Sequence, residues 1–223
     1  MELNNNVLNV LKNFASINSS MVFNAGSELK TISEARNILA SVNIDQEFPK
    51  SFGIYDMNEF LSVLSLVDTP RLRFEDNYVL IGDQSGRSKI KYFFTDIEML
   101  TTPPATMKMP EADITFELTA DTMAKIKKAS AALGHTDLVI TPGENAISLS
   151  INDIENSTSN TFSIDVDGET TIDNFQAVIS IANLKLIPNT YTVSISSKNI
   201  AKFEDEIAGS VYFIALEKTS KWS

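Results

Sequence analysis

Lys125, Lys127 and Lys128 fall within four positions of a segment whose apolar residues recur at helical spacing. On a helical wheel Met123, Ile126, Ser130 and Leu133 share one side, Lys125 and Lys128 lie opposite, and Lys127 sits at the flank. Amines projecting in a row from a helix suit phosphate contact, which is independent of base sequence. The pattern from Asn6 to Asn18, with Leu8, Leu11 and Ala15 at helical spacing, turns Asn6, Asn9, Asn13 and Ser16 outward with Lys12 at the edge. Residues 57–67 bury Phe60, Leu64 and Val67 and present Asn58, Ser62 and Ser65, with Glu59 as the exception. Acids gather instead at loops and strand ends, as in Glu75-Asp76, Asp165-Val-Asp167 and Glu204-Asp-Glu206.

Other chemistry is thinly supplied. His135 is the one histidine, and it follows Gly134 just past a helix end, where a turn residue is expected. No glycine-rich phosphate loop occurs, because no two of the eight glycines lie within three residues of each other. Asp165-Val-Asp167-Gly168 hints at a calcium loop but lacks the sixth-position glycine and the twelfth-position glutamate, so a β-turn is expected. The absence of cysteine removes thiolate metal sites, disulfides and cysteine nucleophiles, and suits a reducing compartment. No catalytic centre and no cofactor are expected.

The elements that would position these residues come in two sets. The 223 residues suffice for one large or two smaller domains, and 43% hydrophobic content supports a buried core. No apolar run approaches the length of a membrane span, and Met1–Phe14 lacks a cationic start before an apolar stretch, so neither membrane insertion nor secretion is expected. Leu100-Thr-Thr-Pro-Pro-Ala-Thr-Met-Lys-Met-Pro110 carries three prolines in eleven residues and reads as an extended connector. The expected division is therefore 1–100, a connector 101–112, and 113–223.

Each half repeats one order. A helix (Asn6 to Asn18; Thr119 to Leu133, with Thr119 as N-cap and Asp121 in the first turn) precedes a β-run ending in glycine, at Gly26 and Gly143. Alternating strands follow at Leu29–Ile32 and Ala146–Ile151. Phe52–Asn58 leads into a helix at Glu59–Leu66, which Asp56 and Glu59 begin with capping-box spacing; Ala177–Asn183 leads into a shorter helix at Leu184–Ile187, stopped by Pro188. Strands at Lys89–Phe94 and Ser210–Leu216 close the halves. The expected class is α+β: two similar domains, each with two helices packed on antiparallel sheets.

Net charge is −11, and it is spread over both halves: residues 1–100 hold 9 basic and 13 acidic side chains, residues 101–223 hold 9 and 16. An acidic chain can still present a positive face if its cations are segregated, as the helical patterns suggest.

Four strings extend this reading: Leu11-Lys-Asn-Phe-Ala-Ser-Ile-Asn18, Ile54-Tyr-Asp-Met-Asn-Glu-Phe-Leu-Ser-Val-Leu-Ser-Leu-Val67, Ile181-Ala-Asn-Leu-Lys-Leu-Ile-Pro188 and Ala201-Lys-Phe-Glu204. In order and spacing the chain resembles the T-even-type bacteriophage sliding clamps, from about residue 7 to 217. The resemblance implies a homotrimer closed head to tail into a ring around duplex DNA, in the host cytoplasm. It further implies an ATP-driven clamp loader that opens the ring and a phage DNA polymerase held by its C-terminal peptide. Carried over by position, Lys12, Lys125, Lys127, Lys128 and Lys185 would face DNA, while Ala131 stands where relatives can carry a second basic residue. Leu100, Met107, Met109, Phe213 and Ala215 would form the peptide pocket. The competing expectation is a duplicated-domain viral structural or assembly protein.

Overall fold

The computed structural model describes residues 1–83, 85–144, 146–156 and 158–223. It divides the chain into two compact units, 1–105 with 208–210, and 106–207 with 211–223.

The first unit begins with α1 (Asn5–Ile17), whose N-cap Asn4 accepts from the Val7 amide at 2.9 Å and whose buried stripe is Val7, Val10, Leu11, Phe14, Ala15 and Ile17. Short β1 (Met21–Phe23) is followed by β2 (Gly26–Ile32) and the long β3 (Ile38–Phe48), which pair antiparallel. Next, β4 (Phe52–Ile54) returns to pair with β1, then comes α2 (Met57–Leu64). Asp56 caps α2 by accepting from the Asn58 and Glu59 amides at 2.9 and 3.0 Å. Three strands, β5 (Arg71–Phe74), β6 (Tyr78–Gly82) and β7 (Lys89–Phe93), form an antiparallel sheet in that order. Phe23, Phe48, Phe52 and Phe74 pack ring on ring in the core of this unit, with Phe23 and Phe52 stacked at 4.5 Å.

The second unit repeats the plan. Its β8 (Ile114–Leu118) precedes α3 (Ala120–Leu133), capped by Thr119, which accepts from the Thr122 amide at 3.1 Å, and ended by Gly134 at φ +74°, the left-handed C-cap. Strands β9 (Asp137–Pro142), β10 (Ile147–Ile151), β11 (Phe162–Val166), β12 (Gly168–Thr170) and β13 (Phe175–Ser180) follow, then β14 (Tyr191–Ser196), β15 (Ile200–Asp205), β16 (Ser210–Ala215) and β17 (Lys221–Trp222). One sheet runs β11-β10-β9-β13-β17; in another, β12-β8-β14-β15-β16 lie side by side. The β9–β13 pair mirrors β1–β4. The β8–β14 ladder has a remnant in the first unit, an isolated bridge from Glu2 to Arg71.

Two local expectations fail. The helix expected at Leu184–Ile187 is absent; the α2 position holds only a 3₁₀ turn, Ile181–Asn183, followed by Leu184 at ψ 54°. Pro188 drives the residue before it toward extended backbone, and the span from Ser180 to Pro188 is too short for a helix to repay nucleation. The molecule therefore has three α-helices among its described residues rather than four. The second failure is at Asp165–Gly168, which forms no β-turn. Asp165 lies inside β11 and Gly168 opens β12, so the chain crosses there from one sheet to another.

Between the 3₁₀ turn Ile97–Met99 and β8 the chain has no regular structure. Lys30 Nζ donates to the Ala105 carbonyl at 3.0 Å, fastening one end. At the other, Asp113 Oδ2 accepts from the Ser197 amide at 2.6 Å; that hydrogen bond, ahead of Lys198 nearby, holds the Asp113 carboxyl below its usual range.

Candidate functional site

On α3 the inward positions are Thr122, Met123, Ile126 and Ser130, while Leu133 is only half-buried. Lys125 and Lys128 are consequently exposed and Lys127 lies half-buried at the flank, as the wheel requires. The three amines stand in different states. Lys125 Nζ lies 2.7 Å from the Asp121 carboxylate, an i,i+4 ion pair. Lys128 is open to solvent. Burial disfavours the charged form of Lys127 and lowers its pKa. In the first unit α1 presents Lys12 with Asn6, Asn9 and Ser16, and Asn13 is half-buried. Exposed Asn58, Ser62 and Ser65 line α2, where Glu59 receives the Tyr92 hydroxyl at 3.5 Å. Lys185 follows the 3₁₀ turn of the second unit and is half-buried.

The outward faces of the three helices thus carry Lys12, Lys125 and Lys128, with Lys127 beside them, against two carboxylates, Asp121 and Glu59.

The residues carried over for a peptide pocket divide. Leu100 is buried against Gly53, where an added Cβ would come within 2.9 Å of its Cδ1, and Phe213 is buried in β16. Met107 is exposed, and Met109 and Ala215 are half-exposed.

A second cationic surface escaped the sequence reading. Arg71 and Arg73 on β5 and Lys89 and Lys91 on β7 share the exposed face of their sheet, since Arg71 pairs with Gly82, which pairs with Lys89, and Arg73 with Leu80, which pairs with Lys91. Glu75 holds Arg73 at 2.7 Å, Glu2 approaches Arg71 at 4.0 Å, and Lys91 stacks over Tyr78 at 4.5 Å. The signal was available: Arg-x-Arg and Lys-x-Lys around Leu72 and Ile90 have the period of two that puts like residues on one face.

His135 does what a residue beyond a C-cap does, with its Nε2 2.9 Å from the Asn160 carbonyl and its own carbonyl accepting from Ser130. No group of three or more acidic or histidine side chains able to hold a metal occurs among the described residues.

Duplicated units of helices backed by antiparallel sheets are the architecture of DNA clamps. A solved proliferating cellular nuclear antigen from Entamoeba histolytica matches with TM-score 0.68 over 95% of this chain and 94% of its own, at 18% identity, which establishes the fold. A family model described as DNA polymerase processivity factor matches residues 4–93, and one described as gp45 sliding clamp, C terminal, matches 115–218. The sliding clamp of Vibrio phage KVP40 is 34% identical, covering 97% of this chain and 99% of its own; those of Escherichia phage RB69 and Enterobacteria phage T4 are 31% and 32% identical, covering 99% of this chain and 98% of theirs. The chain belongs to the bacteriophage sliding clamps, the DNA polymerase processivity factors of the T4 type.

Proposed function

We propose that three copies close head to tail around duplex DNA, with the outward faces of α1, α2 and α3 toward the phosphates, and that the ring tethers the phage DNA polymerase. The domains doing this are 1–100 and 113–223, joined by 101–112. The observation that carries the reading is segregation: a chain of net charge −11 keeps only two carboxylates on its helical faces yet places Lys12, Lys125 and Lys128 there. Three copies total −33, three times −11, so repulsion from the rest of the surface would centre the duplex. Encirclement makes tight binding unnecessary, which is how an acidic protein can serve.

Two sheet edges support closure. Among the described residues, β7 and β11 each end their sheets. The first carries Lys89 and Lys91; the second carries Asp165, with Asp167 just beyond. A basic edge on one copy and an acidic edge on the next give a heterologous contact, which generates a ring when its rotation closes. Of the five residues proposed to take a polymerase C-terminal peptide, Met107, Met109 and Ala215 are accessible, with the adaptable apolar side chains such a peptide would use, while Leu100 and Phe213 are buried. A clamp loader is the partner that opening a closed ring requires.

The test is a double substitution, Lys125→Glu with Lys128→Glu. The fold should survive, because both positions are exposed. Polymerase run length on primed circular template should fall about tenfold or more, because up to six phosphate contacts in the ring reverse sign. Unchanged run length would remove α3 from the DNA surface, and a strict monomer in light scattering at high concentration would remove the ring.

A further inference from the structure

We propose that Asp121 sets the grip of the ring on DNA by holding Lys125, so that α3 touches phosphates with less than its full charge. The proposal rests on α3 facing DNA.

Asp121 is the only acid in α3. It is widely exposed, at 74% of its side chain, yet its carboxylate meets Lys125 Nζ at 2.7 Å across one helical turn. The order, acid N-terminal to lysine at i,i+4, is the favourable one for a helix. The same carboxylate lies in the first turn of the helix, near the positive end of its dipole. Both influences hold the carboxylate beside Lys125. An incoming phosphate must therefore compete with Asp121 for Lys125, whereas Lys128 has no such competitor at i−4, where Ala124 stands. The result is one free and one shared amine on each copy's helix. A ring retained by topology gains nothing from strong phosphate contacts and is slowed by each one it must break to move. A carboxylate placed beside a DNA-facing lysine lowers that friction without removing the cation.

The measurement is one-dimensional diffusion of labelled rings threaded over the free ends of a stretched duplex, at several salt concentrations. Asp121→Asn should slow diffusion about 1.5- to 5-fold at low salt, the range spanned by exposed ion pairs. The salt dependence should steepen, and the difference should fade as added salt screens the charges. Asp121→Glu, which keeps a carboxylate at the same spacing, should diffuse as the parent does. In a Lys125→Gln background Asp121→Asn should have little effect. A full effect there would mean that Asp121 acts on DNA directly, which overturns the proposal. If Lys128→Gln speeds diffusion while Asp121→Asn leaves it unchanged, the proposal falls and the DNA-facing reading stands. If Lys125→Gln and Lys128→Gln both change nothing, the reading of α3 fails and takes the proposal with it.

Discussion

α1 and α3 occupy equivalent places in the two units, yet they are different helices. α1 buries six residues, Phe14 among them, and packs on both β3 and α2. α3 buries four, two of them Thr122 and Ser130, and packs on β10; the place α2 would take holds a 3₁₀ turn instead. A helix with a helical neighbour must be apolar over a wider arc. Freed from that demand, α3 spends fewer positions on packing and more on charge, which is where three lysines and Asp121 are found. The lesson is that two units built on one plan differ most where a helix packs beside α1 and only a 3₁₀ turn stands in the matching place of the second unit.

That contrast can be broken by measuring what each helix contributes. Phe14→Ala should cost the first unit about 3–5 kcal/mol, and Met123→Ala in α3 nearer the lower end of the 2–5 kcal/mol typical for methionine. Denaturant unfolding with hydrogen exchange would assign each loss to its unit. Equal losses would show that α3 is as deeply engaged as α1. The helix ends sharpen the comparison at a smaller scale. At the end of α1, buried Asn18 donates to the Ile32 carbonyl at 2.8 Å and accepts from the Ser20 amide at 2.9 Å, so Asn18→Ala should cost about 1–3 kcal/mol through orphaned polar groups. α3 ends on Gly134, and Gly134→Ala should cost about 1–2 kcal/mol from the left-handed backbone alone. Melting temperatures would rank the two.

The smallest effect is a titration. Burial, aided by the charges of Glu59 and Asp56, pushes Tyr92 up to about 12 from the ordinary 10.0. A raised folded-state pKa means that the neutral phenol's contribution is complete below pH 10 and is lost as pH climbs toward 12. Tyr92→Phe should flatten that part of the stability profile. Tyr212 in the second unit, also raised by burial, would leave a residual slope. An unaltered profile would mean that Tyr92 is more solvated than its ring contact with Phe60 implies.

Much of this was legible in the chain itself. Apolar spacing placed α1 and α3 within a residue of their ends, because that signal is local; Pro103, Pro104 and Pro110 fall in the stretch between Met99 and Ile114 that has no regular structure. The short helix at 184–187 was misread because a few apolar residues before a proline satisfy either period. The face shared by Arg71, Arg73, Lys89 and Lys91 required knowing that β5 and β7 flank β6, which no local pattern states. The Asp121–Lys125 pair was visible as a spacing, but its geometry emerged only with the side chains placed.

At Gly168 the chain passes from β11 to β12, and an added Cβ would lie 2.7 Å from both the Thr115 carbonyl oxygen and Ile147 Cγ1, and 2.8 Å from Phe116 Cβ. One of those obstacles is backbone and cannot swing aside. At this doorway between layers the backbone passes only because the residue standing there carries no side chain at all.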